Sequence, residues 1–196
     1  LIGNYFQSKK LEVVLERNSL LIQNAIRKFE RDIGFDSVWN CKKNYKGKTF
    51  FPQDIVKLYD NLLQVYKQLL ELESSNPDYK VFKSIEIQES ACRTLRCFYV
   101  ACTHFSYGKL VEGYSLLVHF DDLAASIKDL ERNFDVSLEK VNRDLFNDLQ
   151  AHIQRVSPLK VRAHINILHQ KTKEEDKLKR DLEGLNIQGT QKKRIN

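Results

Sequence analysis

The sequence predicts an all-α protein, and three observations carry that expectation. Only three prolines and seven glycines occur in 196 residues, so the usual helix breakers are scarce. Apolar residues recur at spacings of three and four through most of the chain, the repeat of one helix face. No two alternating apolar runs flank a turn signal as a strand hairpin would require.

The elements follow in order. Apolar positions 11, 14, 15, 21, 22, 25, 26, 29 and 33 form one stripe that ends near Gly34, a fitting residue just past a helix C-terminus. Over 36–51 the periodicity stops, and SVWNCKKNYKGKTFF reads as a basic, aromatic loop. Pro52 then suits the first turn of a second helix, with Asp54 near the positive end of its dipole. Ile55, Leu58, Leu62, Val65, Leu69 and Leu72 make one stripe of that helix, and Tyr59, Leu63, Tyr66 and Leu70 a second. So wide an apolar face predicts a central helix packed on two neighbours.

Asn76 and Pro77 read as N-cap and first residue of a third helix, running from about Tyr79 to Tyr107 and broken at Gly108. A fourth runs from Lys109 to about Asn133. A fifth covers about Ser137 to Val156, with Leu138, Val141, Leu145, Leu149 and Ile153 inward. Ser157 and Pro158 read as cap and first residue of a short sixth helix through Leu168. The remainder, KTKEEDKLKRDLEGLNIQGTQKKRIN, is polar apart from Leu178, Leu182, Leu185 and Ile187. Residues 1–170 are therefore expected as one helical domain, with a basic loop at 36–51. Residues 171–196 are expected as a charged tail, flexible until a partner engages those four apolar anchors.

The net charge of +6 is unevenly spread. Lys42, Lys43, Lys46 and Lys48 fall in a stretch without acids, and the tail carries eight basic against five acidic residues, so the rest is close to neutral. No apolar run approaches the roughly 18 residues of a spanning helix. Four cysteines without disulfide-like spacing read as reduced thiols of a cytosolic or nuclear setting. The absence of methionine, even at position 1, is read as the mark of a segment of a longer protein.

The segment SACRTLRCFYVACTHFSYGK holds Cys92, Cys97 and Cys102, with His104 behind them. On a helix each five-residue step turns about 140° and rises about 7.5 Å, so the thiols splay around the axis. They meet neither a tetrahedral metal nor the geometry of a disulfide. A metal would need ligands from elsewhere, such as Cys41 or His119. The expected role is that of small buried hydrophobes, with no metal and no cofactor. Gly47-Lys48-Thr49 looks like half of a phosphate-binding loop but lacks its first glycine and its strand. The five histidines show no zinc-protease spacing and no nucleophile partner, and His119 and His152 read as surface or core-edge residues. No catalytic residues are assigned, and an enzyme is not expected. The loop has two readings. Its lysines, interleaved with Trp39, Tyr45, Phe50 and Phe51, suit phosphates and stacked bases. Alternatively it is a solvated connector whose aromatics tuck back onto the helices.

The third and fourth helices also carry the offsets of a tetratricopeptide unit: Ala101, His104, Leu110, Gly113, Leu117 and Phe120. Small residues at Ala101 and Gly113 mark where two helices cross closely, a reason for a mid-helix glycine that otherwise costs about 1 kcal/mol. His104 stands where tyrosine is usual, and the terminal proline is missing, so the repeat is degenerate. The expected architecture is a tetratricopeptide-like array of antiparallel helical hairpins.

A longer text adds to this. Pro52, Asp54, Ile55, Val56, Lys57, Leu58, Tyr59 and Asp60, then Arg96, Cys97, Phe98, Tyr99, Val100 and Ala101, resemble the 68-kilodalton subunit family of the eukaryotic signal recognition particle. Lys10, Leu11, Arg17 and Asn18 look like the same family's first helix. The similarity covers about residues 1–33 and 50–135; the loop and the tail match poorly. The resemblance implies a scaffold subunit that pairs with the particle's 72-kilodalton subunit and the particle RNA, with ribosome and targeting receptor as indirect partners. It implies a cytoplasmic protein, with a nucleolar assembly stage and transient presence at the endoplasmic reticulum surface. The family's main RNA-binding bundle is expected upstream of Leu1. The rival readings are a helical-repeat adaptor that binds a peptide or protein in another complex, and a direct RNA-binding module using Lys42, Lys43, Lys46 and Lys48.

Overall fold

The computed structural model describes residues 2–40, 49–74, 79–133 and 140–192, with side chains left out at 2, 4, 40, 79, 131–133, 140–142 and 184–192. Five helices and one short 3₁₀ segment make up the described residues: α1 (Ile2–Asp32), the 3₁₀ segment (Phe35–Asn40), α2 (Pro52–Glu73), α3 (Tyr79–Ser106), α4 (Leu110–Asn133) and α5 (Lys140–Lys192). No strand occurs among them. The fold is all-α.

Glycine sets two of the helix ends. Gly34 adopts φ +70°, and its N–H and that of Ile33 both reach the Phe29 carbonyl, at 3.0 and 2.9 Å. Gly108, at φ +76°, closes α3 in the same way, with Tyr107 and Lys109 N–H groups on the His104 carbonyl. Only glycine enters that left-handed region at no steric cost. At the start of α2, Pro52 needs no donor, and the Asp54 carboxylate accepts the Phe51 N–H at 3.1 Å.

α2 runs antiparallel to α3, and α4 to α5, as their contacts show. On α2, Asp60 meets Arg96 and Tyr66 meets Gln88, so α3 numbers fall as α2 numbers rise. Between α4 and α5, Tyr114 lies by His164 while Asp121 binds Lys160. α2 packs on α1 and α3, the two neighbours its double stripe predicts. The hub, however, is α3, which touches α2, α4, α5 and the 3₁₀ segment. Its Ala91, Cys92, Leu95, Phe98, Tyr99, Ala101, Cys102 and Phe105 are fully buried, as expected of a helix apolar on most of its circumference.

Two sequence expectations need correction. Residues 35–40 are not loop: Phe35, Val38 and Trp39 turn inward and plug the end of the bundle. The Phe35 ring lies 5.2 Å from Phe29 and 5.5 Å from Phe98, Val38 is fully buried, and Trp39 lies 4.2 Å from Phe105. Nor do Ser157 and Pro158 begin a new helix, because α5 runs through them. Pro158 has no N–H to offer the Gln154 carbonyl, but both residues are exposed, so the freed acceptor is not sealed in the core. Leu145, Leu149 and Ile153 face the core as expected. The residues expected as a tail continue the same helix through Lys192, and every described position from 168 to 183 is exposed.

Candidate functional site

A buried histidine and its polar partners lie where α3 meets α5. His152 is 2 % exposed, so it belongs to the core and not to its edge. Its Nδ1 lies 2.7 Å from the Asp148 carbonyl oxygen, which only accepts, so Nδ1 carries the proton. Nε2 is then the acceptor for the Tyr99 hydroxyl at 2.9 Å. Burial pushes the imidazole down to about 4, with the backbone hydrogen bond opposing and Arg155 assisting. The ring is therefore neutral at neutral pH, edge-on to Phe98 at 4.6 Å. Burial likewise drives the Tyr99 phenol well above its usual range. The Asp148 carboxyl is raised to about 6, first by burial and then by Asp144 and Glu30, against Arg155 and Arg27. Both ring nitrogens are satisfied from within the protein, and aromatic rings pack around them. This arrangement ties two helices together.

The cysteines behave as core residues. Cys92, Cys97 and Cys102 are all buried, and the Cys97 thiol donates to the Leu116 carbonyl at 3.5 Å. Burial raises the Cys92 and Cys97 thiols, which disfavours the reactive thiolate. Among the described residues no group of three or more His, Cys, Asp or Glu is placed to hold a metal.

Of the two positions assigned to a close helix crossing, Gly113 on α4 faces Phe105 on α3. Ala101 is fully buried, and a Cβ built on Gly113 would stand 2.4 Å from Cε1 of the Phe105 ring. Phe105, itself fully buried and held against Trp39, occupies the space a side chain at 113 would need.

The basic-loop lysines Lys42, Lys43, Lys46 and Lys48 lie outside the described residues, as do Cys41 and Tyr45. The flanks of that stretch are fixed to the body. Trp39 packs on Phe105 with the Arg162 guanidinium 5.7 Å above its ring, and Lys28 lies 5.8 Å over Phe50. The Thr49 hydroxyl donates to Asp32 at 2.8 Å, a bond that together with Arg31 lowers the Asp32 carboxyl. These aromatics thus tuck back onto the helices.

Of the tail anchors, Leu178 is 62 % and Leu182 54 % exposed, while the side chains of Leu185 and Ile187 are outside the described set. Val161, Ile165 and Leu168 are exposed nearer the body. Sequence reasoning missed the clamp that seats the 3₁₀ plug. Arg155 binds Glu30 at 2.6 Å and lies 5.0 Å over Phe35, and Arg162 binds Asp36 at 3.0 Å. A signal existed, since Phe35, Val38 and Trp39 fall at spacings of three and one, but six residues are too few to establish a period.

No described helix is long and apolar enough to cross a membrane. The chain matches the family model described as RNA-binding signal recognition particle 68 over residues 1–195. It is 30 % identical over 92 residues to signal recognition particle subunit SRP68 of Caenorhabditis elegans, an alignment that covers 47 % of this chain and 14 % of that protein. No solved structure matches it. With the family model matching from one end of the described helices to the other, this chain belongs to the RNA-binding signal recognition particle 68 family.

Proposed function

We propose that this chain is a non-enzymatic scaffold segment of a signal recognition particle subunit. It contributes to assembly with the particle's 72-kilodalton subunit and 7S RNA in co-translational targeting of secretory and membrane proteins to the endoplasmic reticulum. The family match over residues 1–195 carries this reading. It agrees with a body whose buried polar groups tie helices together. The working location is the cytoplasm, with a nucleolar assembly stage and transient presence at the endoplasmic reticulum surface, and ribosome and receptor are reached through the particle.

Within that role, the α3–α4 hairpin is a tetratricopeptide-like unit whose close approach depends on Ala101 and Gly113. The exposed leucines of the α5 extension, Leu178 and Leu182 with Leu185 and Ile187 beyond them, serve as a partner-binding stripe. The charged residues between these leucines keep the extension soluble until it is covered. Lys42, Lys43, Lys46 and Lys48 meet RNA phosphates.

Tagging the parent protein in cells tests the assembly. The partner subunit and 7S RNA copurify on this reading, and clean recovery of a free monomer overturns it. Neutralising the four lysines tests the RNA contact separately. Binding then weakens, and its dependence on salt flattens by up to about four phosphate contacts.

A further inference from the structure

α1 carries a second seam. Its buried face is built from Leu15, Ile22, Ala25, Ile26 and Phe29, which pack it on α2 and the bundle. Near the opposite pole lie Phe6, Val13 and Leu20, at 68, 65 and 57 % exposure. Seven residues are close to two helical turns, so these side chains stand in one row about 10 Å apart. Lys10 and Arg17 fall between them at the alternate three- and four-residue steps, and the row ends in exposed Arg27 and Arg31. Single exposed apolar residues need no explanation. Three in register along the pole of a helix form an apolar row that repeats every seven residues, one of the two rows of a helix seam, with Lys10 and Arg17 standing in the other.

We propose that this outer face of α1 docks an acidic amphipathic helix of another polypeptide. The apolar row fits the apolar stripe of such a helix, since both repeat every two turns. Lys10, Arg17 and Arg27 would be met by Asp and Glu along its flanks, while Arg31 is already paired with Asp32 at 3.0 Å. Glu16 and the Lys9–Glu12 pair, at 2.6 Å, border the seam on one side and set the register against a uniformly acidic segment. A nucleic acid would satisfy the arginines but leave the aliphatic Val13 and Leu20 against phosphates or water, which favours protein. The inference stands on α1 itself and holds or fails apart from the assembly proposed above.

A photoreactive benzoyl-phenylalanine placed at position 13, and in a second variant at position 20, tests this in the full-length protein within its native complex. Position 67 on the exposed side of α2 is the control. Both probes are expected to crosslink to one segment of one other protein, rich in Asp and Glu and amphipathic at helical period. Adding Arg17→Glu and Arg27→Glu should reduce the yield at least fivefold. Crosslinks to RNA, to a segment of the same chain, to a segment without excess acid, or at the level of the control overturn the proposal. Because all these positions are exposed, the variants should unfold at the unmodified protein's temperature, so loss of crosslinking is not loss of fold.

Discussion

At position 113 the balance between backbone and packing can be read directly. Alanine in a helix interior gains about 1 kcal/mol over glycine. Here the new methyl group meets the Phe105 ring at 2.4 Å, and overpacking of a filled core costs about 1–3 kcal/mol. Packing wins, because Phe105 has Trp39 behind it and is fully buried. Gly113→Ala should therefore lower the urea midpoint, and Phe105→Leu should restore part of the loss in that background while being destabilising alone. Additive losses in the double variant would show that the two residues do not share this space. A second test concerns pH. His152, at about 4 in the fold against about 6.5 unfolded, makes the unfolded chain bind more protons between those values, so stability falls as pH drops. Asp148, at about 6 against about 3.8, makes the folded chain bind more protons, so stability rises as pH drops through nearly the same window. The two oppose each other. Asp148→Asn should expose a loss of stability on acidification from pH 6.5 to 4 that is steeper than in the parent. His152→Gln should leave the opposite slope, and identical profiles in all three proteins would refute the opposition.

At the level of elements, the long periodic segments were legible in the sequence and the short or interrupted ones were not. α2, α3 and α4 lie within about a residue of where their stripes, Pro52 and Gly108 place them, because three or more turns of repeat outweigh any single local signal. The 3₁₀ plug escaped because much of its burial comes from α3 and α5, neither of which is local to it. The continuity of α5 escaped because Ser157-Pro158 carries the signature of a helix start, and only the exposure of Gln154 and Pro158 shows why the helix survives. This difference is measurable. A proline inside a helix costs about 3 kcal/mol relative to alanine, whereas one in the first turn costs little. Pro158→Ala should thus stabilise the protein by about 1–3 kcal/mol in urea unfolding. No change in midpoint would mean a helix boundary at this point, as the sequence alone suggested. Within the candidate site, Gly113 could be picked out from the chain as a place of close approach. Phe105, the ring that makes Gly113 matter, could not, because the contact crosses a turn whose geometry is set by Gly108.

The whole molecule is a bundle with helical surface to spare at both of its flanks. α3 gathers the other elements around one aromatic cluster, while α1 shows a second seam and α5 runs on with no described residue from 168 to 183 covered. Most helix stability in proteins comes from packing an apolar face, and in isolation helices shorter than about 12–15 residues are marginal. Among the described side chains of the α5 extension, 168–183, none has such packing, so their helical state draws on continuity with the packed turns around Val156, Leu159 and Ala163. Stability of the body and order of the extension should then be separable. A chain ending at residue 170 should melt within about 2 °C of the full one, since none of the described side chains removed is buried and about 1 kcal/mol shifts a domain of this size by about 2–4 °C. Its helical ellipticity should fall by the share of the removed turns, and amide exchange in the full chain should be fast beyond about residue 170 and slow in α3. A fall of about 5 °C or more on truncation, or slow exchange along the extension, would mean that those turns rest on the body. Slow exchange that appears only when the partner subunit is added would place that subunit on Leu178 and Leu182.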